Sequence, residues 1–347
     1  MNGLATSGAA PEDSKEAKEP GSRGIAATGP AVRAGSAVSI AFLGPAGTFT
    51  EEALFTQPDL AQAQVVPLPS LSEVVEAVST GRTDLAFVPI ENSIEGTVHA
   101  TVDTLVFDVD LLVQREVVLD VHMHLLAPRG TTIESVRRVL SFPHASAQCR
   151  KYLTERLPGV EVVATSSTAE AARLLGEERR PHTAALAPRL AAELYGLDVL
   201  DSAVEDHSDN QTRFVALAAS GVPTPTGHDK TSIVCFQRED RPGSLHGILS
   251  QFSARNINLT KLESRPTKRG LGSYCFLIDL EGHVADEVVS DCLRVLHAEL
   301  AGVKFLGSYP AAGAHGPAMR ARADAAWRDA DAWIDSIRSQ VRPASGP

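Results

Sequence analysis

The sequence predicts a two-lobed α/β domain followed by a smaller, ferredoxin-like βαββαβ domain. Three observations carry this expectation. From residue 38 to 218, short β-branched runs alternate with helix-like runs, the pattern of sheets flanked by helices. Residues 221–227, GVPTPTG, then break the pattern with two prolines, two glycines and no apolar periodicity. Beyond them the order becomes strand, helix, strand, strand, helix, strand within about 80 residues, a split-βαβ arrangement. A chain of 347 residues, 43 % apolar, is long enough for two domains with tails and can bury a core in each.

Taken in order, residues 1–36 hold only Leu4, Ile25 and Val32 as large aliphatics, with acids and bases in balance. Such a segment cannot offset its ordering entropy and is expected to be disordered. Structure begins with a strand at 38–43, stopped by Gly44-Pro45. Val65-Val66 leads into a helix over 71–79, and Leu85-Ala86-Phe87-Val88 into a helix near 97–105. A β-rich stretch covers 111–126. A strand at 139–140, a helix over 145–157, a strand over 160–164 and a helix over 168–176 follow. The larger domain, 37–220, closes with a strand at 183–187, a helix over 189–195 and a strand over 213–218. This alternation implies parallel sheets in two small lobes, with a ligand cleft between them. After a linker at 221–229, the second domain, 230–310, has strands at 231–236, 259–265, 273–280 and 303–307 and helices over 244–254 and 286–300. In the tail, 311–347, Trp327, Ala330, Ile334 and Ile337 recur at helical spacing, so 319–338 is expected to form a helix docked on a folded domain or a partner subunit.

Composition narrows the function. A formal charge of −11 argues against nucleic acid as a partner. No run approaches the roughly 20 apolar residues that span a bilayer, and the N-terminus lacks the apolar core of a secretory signal, so no membrane partner is expected. Cys149, Cys235, Cys275 and Cys292 lie far apart and read as buried, reduced thiols of a cytoplasmic protein. His122 and His124 have no third ligand nearby, so neither a metal nor another cofactor is expected.

The chemistry is concentrated at strand ends. In GPAGTFT, 44–50, glycines let the backbone approach a ligand and Thr48 or Thr50 can cap a helix. In VPIENSIEGT, 88–97, a strand end delivers Glu91, Asn92 and Ser93 toward the crevice. In SFPHASAQC, 141–149, Ser141 ends a strand and Gln148 falls in the first turns of a helix, while His144 is either catalytic or an exposed neighbour of the cap. Ser167 and Thr168 open another helix. In DNQTRF, 209–214, alternation sends Thr212 and Phe214 to one face of a strand and Arg213 to the other. Arg213 can pair bidentately with a carboxylate ligand or with a structural aspartate.

The ordered set GPAGTFT, VPIENSIEGTV, SSTAEAA and DNQTRF resembles prephenate dehydratase. The stretch containing Pro242-Gly243-Ser244-Leu245 and Glu263-Ser264-Arg265-Pro266 resembles the amino-acid-binding ACT domain often fused to it; together the resemblance spans about 38–310. It implies a type II periplasmic-binding-protein-like catalytic domain with an interlobe site, conversion of prephenate to phenylpyruvate with loss of carbon dioxide and water, and feedback by L-phenylalanine. The family's essential threonine falls on Thr212, followed by Arg213 and Phe214. Phe142 stands where histidine is common and His144 where glutamine is common, which weakens any histidine-based role there. Catalysis is thus expected from Thr212, Asn92, Gln148, Ser141 and Glu91, with Thr212 donating to the departing oxygen. Substrate binding is expected from Arg213, Phe214, Ser93, Thr48, Ser167 and Thr168. L-phenylalanine is expected between two ACT modules of a homodimer or homotetramer, at Pro242, Gly243, Ser244, Leu245, Asn258, Glu263, Ser264, Arg265 and Pro266. The alternatives are a non-catalytic solute-binding protein, an arogenate dehydratase and a non-aromatising prephenate decarboxylase.

Overall fold

The computed structural model describes residues 38–239, 241–268, 273–312 and 332–340. The expected N-terminal tail and the 319–331 part of the expected C-terminal helix lie outside them; residues 332–338 are helical, with Trp333, Ile334 and Ile337 exposed.

The first lobe opens with β1 (Ser39–Leu43), α1 (Phe49–Phe55), β2 (Gln64–Leu68) and α2 (Leu71–Ser79). The helix starts are set by hydroxyl caps. The Thr48 side chain accepts from the Glu51 amide, and Ser70 accepts from the Glu73 amide while its hydroxyl meets the Glu73 carboxylate. Val74, Val75, Ala77 and Val78 form the buried stripe of α2. Then β3 (Leu85–Asn92) pairs parallel with β1, a two-residue β4 (Gly96–Thr97) folds back on its end, and α3 (His99–Asp103) leads to β5 (Leu112–Asp120). The expected helix near 97–105 is therefore short, and ends in a π-turn at Thr104–Asp108.

Residues 121–123 cross to the second lobe, dividing the β-rich stretch between two sheets. That lobe contains β6 (His124–Ala127), β7 (Arg138–Ser141), α4 (Pro143–Gln148), α5 (Arg150–Arg156), β8 (Glu161–Ala164), α6 (Thr168–Glu178), β9 (Thr183–Ala187), α7 (Arg189–Tyr195) and β10 (Asp198–Asp201), in sheet order β10-β6-β9-β7-β8. The helix expected over 145–157 is interrupted at Cys149, because Asp206 accepts from the Lys151 and Tyr152 amides and starts α5 afresh. The chain then returns as β11 (Gln211–Ala218), which inserts between β3 and β5 and runs antiparallel to both. Both sheets are accordingly mixed, not parallel as the alternation implied. The two crossing segments lie side by side, with the Val121 amide donating to the Asn210 carbonyl at 2.7 Å.

The C-terminal sheet has order β13-β14-β12-β15, formed by β12 (Asp229–Phe236), β13 (Leu259–Pro266), β14 (Tyr274–Glu281) and β15 (Gly302–Pro310), with α8 (Ser244–Ser253) and α9 (Glu287–Glu299) between them in sequence. The helices cover a face bearing Ile233, Cys235, Phe276 and Ile278. The opposite face shares one core with the first lobe, where Val234, Cys275, Leu277 and Tyr309 meet Val113, Val215 and Leu217. β15 lies so close to β5 that a Cβ on Gly307 would sit 2.5 Å from the Val113 carbonyl oxygen.

Candidate active site between the lobes

The ends of β3 and β11 pair Asn92 with Thr212 at the mouth of the first lobe. Asn92 is held rigidly: its Oδ1 accepts from the Ile94 and Glu95 amides at 3.0 and 2.9 Å. That fixes Nδ2 toward Thr212 Oγ1 at 2.9 Å and Asn210 Oδ1 at 2.8 Å. Asn210, buried beside the crossing segments, donates in turn to Gln148 Oε1 at 3.2 Å. Gln148 Nε2 then reaches Glu95 Oε1 at 3.1 Å, where His144 Nδ1 also lies at 3.1 Å. The network spans both lobes and joins three residues singled out from sequence, Thr212, Asn92 and Gln148. Asn210 and Glu95 were missed, although both lie inside segments read as site-bearing. A single amide or carboxylate in a turn carries no periodicity to mark it.

Thr212 is the chemically open end of this network. Its oxygen accepts from an amide whose orientation is locked, so its own proton is left to donate. Among the described residues no acceptor takes it.

Arg213 points the other way. Its Nε lies 2.7 Å from Glu116, Nη1 lies 2.7 Å from Asp279, and Nη2 donates to the Tyr309 hydroxyl at 2.9 Å. Lys230 reaches Glu116 at 2.9 Å, and Lys261 reaches Glu91 at 3.0 Å, with Glu91 itself 3.4 Å from Arg213. Arg213, Lys230 and Lys261 thus face Glu116, Asp279 and Glu91 around this part of the seam between the two domains. Burial opposes the Arg213 charge, but the Asp279 and Glu116 carboxylates beside it raise its pKa. Burial and Asp279 push the Tyr309 phenol up as well, keeping it neutral. Swinging Arg213 into the cleft would leave buried Asp279 without its cation and Glu116 with Lys230 alone, at about 3–5 kcal/mol for a broken buried pair, against about 1.5–3 kcal/mol from one charged hydrogen bond to a ligand. The structure thus places Arg213, expected as a substrate anchor, and Glu91, expected to be catalytic, together in the domain seam. Phe214, expected as a substrate contact, is buried in the first-lobe core and stacked on Phe87 at 5.6 Å.

The comparisons with known proteins fit this geometry. Residues 40–221 match the family model of prephenate dehydratase, and residues 231–298 match that of the ACT domain. A prephenate dehydratase of Mycolicibacterium gilvum is 40 % identical over 310 residues, covering 86 % of this chain and 98 % of that one. The chain belongs to the prephenate dehydratase family. A structure of prephenate dehydratase from Arthrobacter aurescens in complex with L-Phe superposes with a TM-score of 0.77 at 41 % identity, covering 87 % of this chain and all of that one. A second neighbour, GqqA, described as a novel type of quorum quenching acylase, has a TM-score of 0.71 at 31 % identity, covering 79 % of this chain and 98 % of that one.

The remaining expected site residues of this prephenate dehydratase family member divide by the bonds they make. Ser93 ties the β3 turn to β11: its hydroxyl accepts from the Gln211 amide at 2.9 Å and lies 3.3 Å from the Asp209 carbonyl. Ser141 is fully buried and donates to the Phe142 carbonyl at 3.0 Å, which takes its hydroxyl out of the network. Ser167 caps α6 by accepting from the Glu170 amide, and Thr168 is buried in the first turn. Near Thr48, the loop touches the second lobe: the Tyr195 hydroxyl donates to the Ala46 carbonyl at 2.7 Å, and Gly47, at φ +86°, packs on Ala191, where a Cβ would come within 3.2 Å.

In the ACT domain, Gly243 takes a left-handed conformation before α8, and Pro242, Gly243 and Asn258 are exposed. Along the edge strand β13, Ser264 and Pro266 are exposed, whereas Glu263 and Arg265 face the catalytic domain. Glu263 accepts from Thr97 at 2.6 Å, and Arg265 bonds His99 at 2.7 Å and pairs with Asp103. Strand alternation thus turns Glu263 and Arg265 to the opposite face from Ser264 and Pro266. No described group of histidines, cysteines and acids could hold a metal, and no described helix is long and apolar enough to cross a membrane.

Proposed function

We propose that this chain converts prephenate to phenylpyruvate, carbon dioxide and water, with Thr212 assisting departure of the ring hydroxyl. In this reaction the electron pair of the carboxylate C–C bond moves into the ring as carbon dioxide leaves. The ring double bonds shift, and the C–O bond breaks as hydroxide takes up a proton. Aromatisation supplies the driving force, so the protein needs a placed donor and fixed carboxylate anchors. The observation that carries the reading is the locked Asn92 amide on Thr212 Oγ1, which leaves the threonine O–H free to donate at the end of the interlobe network. Partial proton transfer late in C–O cleavage suits so weak an acid. Gln148 and Asn210 hold the network across the lobes. Helix N-terminal amides near Thr48, Ser167 and Thr168 anchor the substrate carboxylates in place of Arg213.

L-phenylalanine is the proposed effector. It would bind where the turn formed by Pro242, Gly243, Ser244 and Leu245 in one copy meets Asn258, Ser264 and Pro266 of another, across the open edge of β13, in a homodimer or a homotetramer. A cytoplasmic location agrees with four free cysteines. The test is incubation of the purified protein with prephenate and, separately, arogenate, with and without L-phenylalanine, followed by product identification. Phenylpyruvate from prephenate, suppressed or shifted by L-phenylalanine, is the expected result. Phenylalanine formed from arogenate alone would move the assignment to arogenate dehydration, and no aromatic product from either would refute it.

A further inference from the structure

We infer that Arg213 is a positioning residue through which the ACT sheet sets the placement of Thr212, an inference that rests on the reading of Thr212 as the reacting hydroxyl.

Two consecutive residue pairs stand back to back at the end of the β3–β11 ladder. Thr212 pairs with Asn92, and Arg213 pairs with Glu91. The first pair joins the interlobe network and the second joins the domain seam. Consecutive strand residues project to opposite faces, so a shift or twist of the backbone at Arg213 carries Thr212 with it.

The ladder is weak at this point. Its register slips between Arg213 and Phe214, leaving Ile90 unmatched, and the next partner along β3 is Pro89, which has no amide proton to donate. On its other flank β11 stays in continuous register with β5 from Gln211 to Ala216, so it is on the β3 flank that side chains add to the hold on this strand end. On the ACT side, Asp279 and Tyr309 bind Arg213, and Lys261 binds Glu91. Ser232 ties the two Arg213 partners together, donating to Asp279 at 2.6 Å with its oxygen 2.7 Å from the Tyr309 hydroxyl. The side-chain hold on the Arg213–Glu91 pair next to Thr212 is therefore contributed in part by the other domain.

Tyr309→Phe removes the hydroxyl and keeps the ring. Ser232→Ala removes the bridge and leaves both Arg213 partners in place. Lys304→Met serves as the control: Lys304 crosses the same seam, donating to the Val109 carbonyl at 2.6 Å, away from Arg213. The full-length variants are compared by steady-state kinetics with prephenate and by hydrogen exchange of the backbone amides at 211–213. For Tyr309→Phe we expect kcat to fall about tenfold with KM within about twofold, and exchange at 211–213 to rise about fivefold or more. Ser232→Ala should move both readouts the same way by a smaller factor. Lys304→Met should leave both unchanged even where its Tm falls. Unchanged exchange and kcat in Tyr309→Phe, or an equal loss of kcat in Lys304→Met, would overturn the inference. If the wild type forms no phenylpyruvate yet exchange at 211–213 still rises in Tyr309→Phe alone, the proposed reaction fails and the positioning role stands.

Discussion

Thr212 and Arg213 differ by one step along a strand and have opposite assignments, which shows what could be read at the residue scale. The motif around Thr212 was legible because its order along the chain is specific, and alternation already separated the two side chains. What covers the far face was not legible: Asp279 and Tyr309 lie 66 and 96 residues away. The same limit applies to Glu91, whose partner Lys261 belongs to another domain. The hydrogen-bond directions yield two linked predictions. Thr212→Ala should lower kcat by about 100-fold or more with KM within about threefold, and Thr212→Ser should recover most of the loss. Asn92→Asp should be nearly as damaging as Thr212→Ala, because a carboxylate in place of the amide would accept the proton that Thr212 must offer to the substrate. Steady-state kinetics of the folded variants measure both, and near-normal turnover in Asn92→Asp would contradict the assigned direction of that hydrogen bond.

At the scale of elements, the periodicities placed most strands and helices within a residue or two; α2 begins and ends where its apolar spacing does. The failures occur where the chain leaves one sheet for the other. β5 and β6 read as one continuous β-rich stretch, β10 carries too short an apolar run to be seen, and the start of α5 depends on Asp206, a cap supplied from 55 residues away. Register against the ACT sheet is likewise non-local. Gly307, at φ +137°, brings β15 against the β5 backbone. Gly307→Ala adds both a left-handed-region penalty and a clash with backbone that cannot rotate away, so a loss of at least about 2 kcal/mol is expected. A Tm within 1–2 °C of wild type, on the scale of several degrees per kcal/mol, would show that the seam can open there without cost.

At the scale of the whole molecule, the four cysteines were expected to be buried and reduced, and all four are free and buried. Burial pushes Cys149 and Cys235 up to about 12 and Cys292 to about 11. A thiol reagent at pH 8 should label none of them in the native protein and all four once it is unfolded; rapid native labelling would contradict the packing. His124 supplies a pH dependence. Burial, reinforced by Arg189, lowers its pKa below the ordinary 6.5. The unfolded chain then takes up a proton near pH 6.5 while the folded protein does not, so stability falls as pH drops from about 6.5 toward the folded pKa. The decline in Tm between pH 7.5 and 5.5 should be smaller in His124→Gln than in wild type, and equal slopes would remove this histidine from the account.

The most direct test of the central claim is a crystal structure with a stable prephenate analogue that retains the ring hydroxyl. The account predicts that oxygen within hydrogen-bonding distance of Thr212 Oγ1, with Asn92 Nδ2 still on the threonine and Arg213 still in the domain seam. An analogue bound with its hydroxyl remote from Thr212, or with its carboxylate on Arg213, would contradict it.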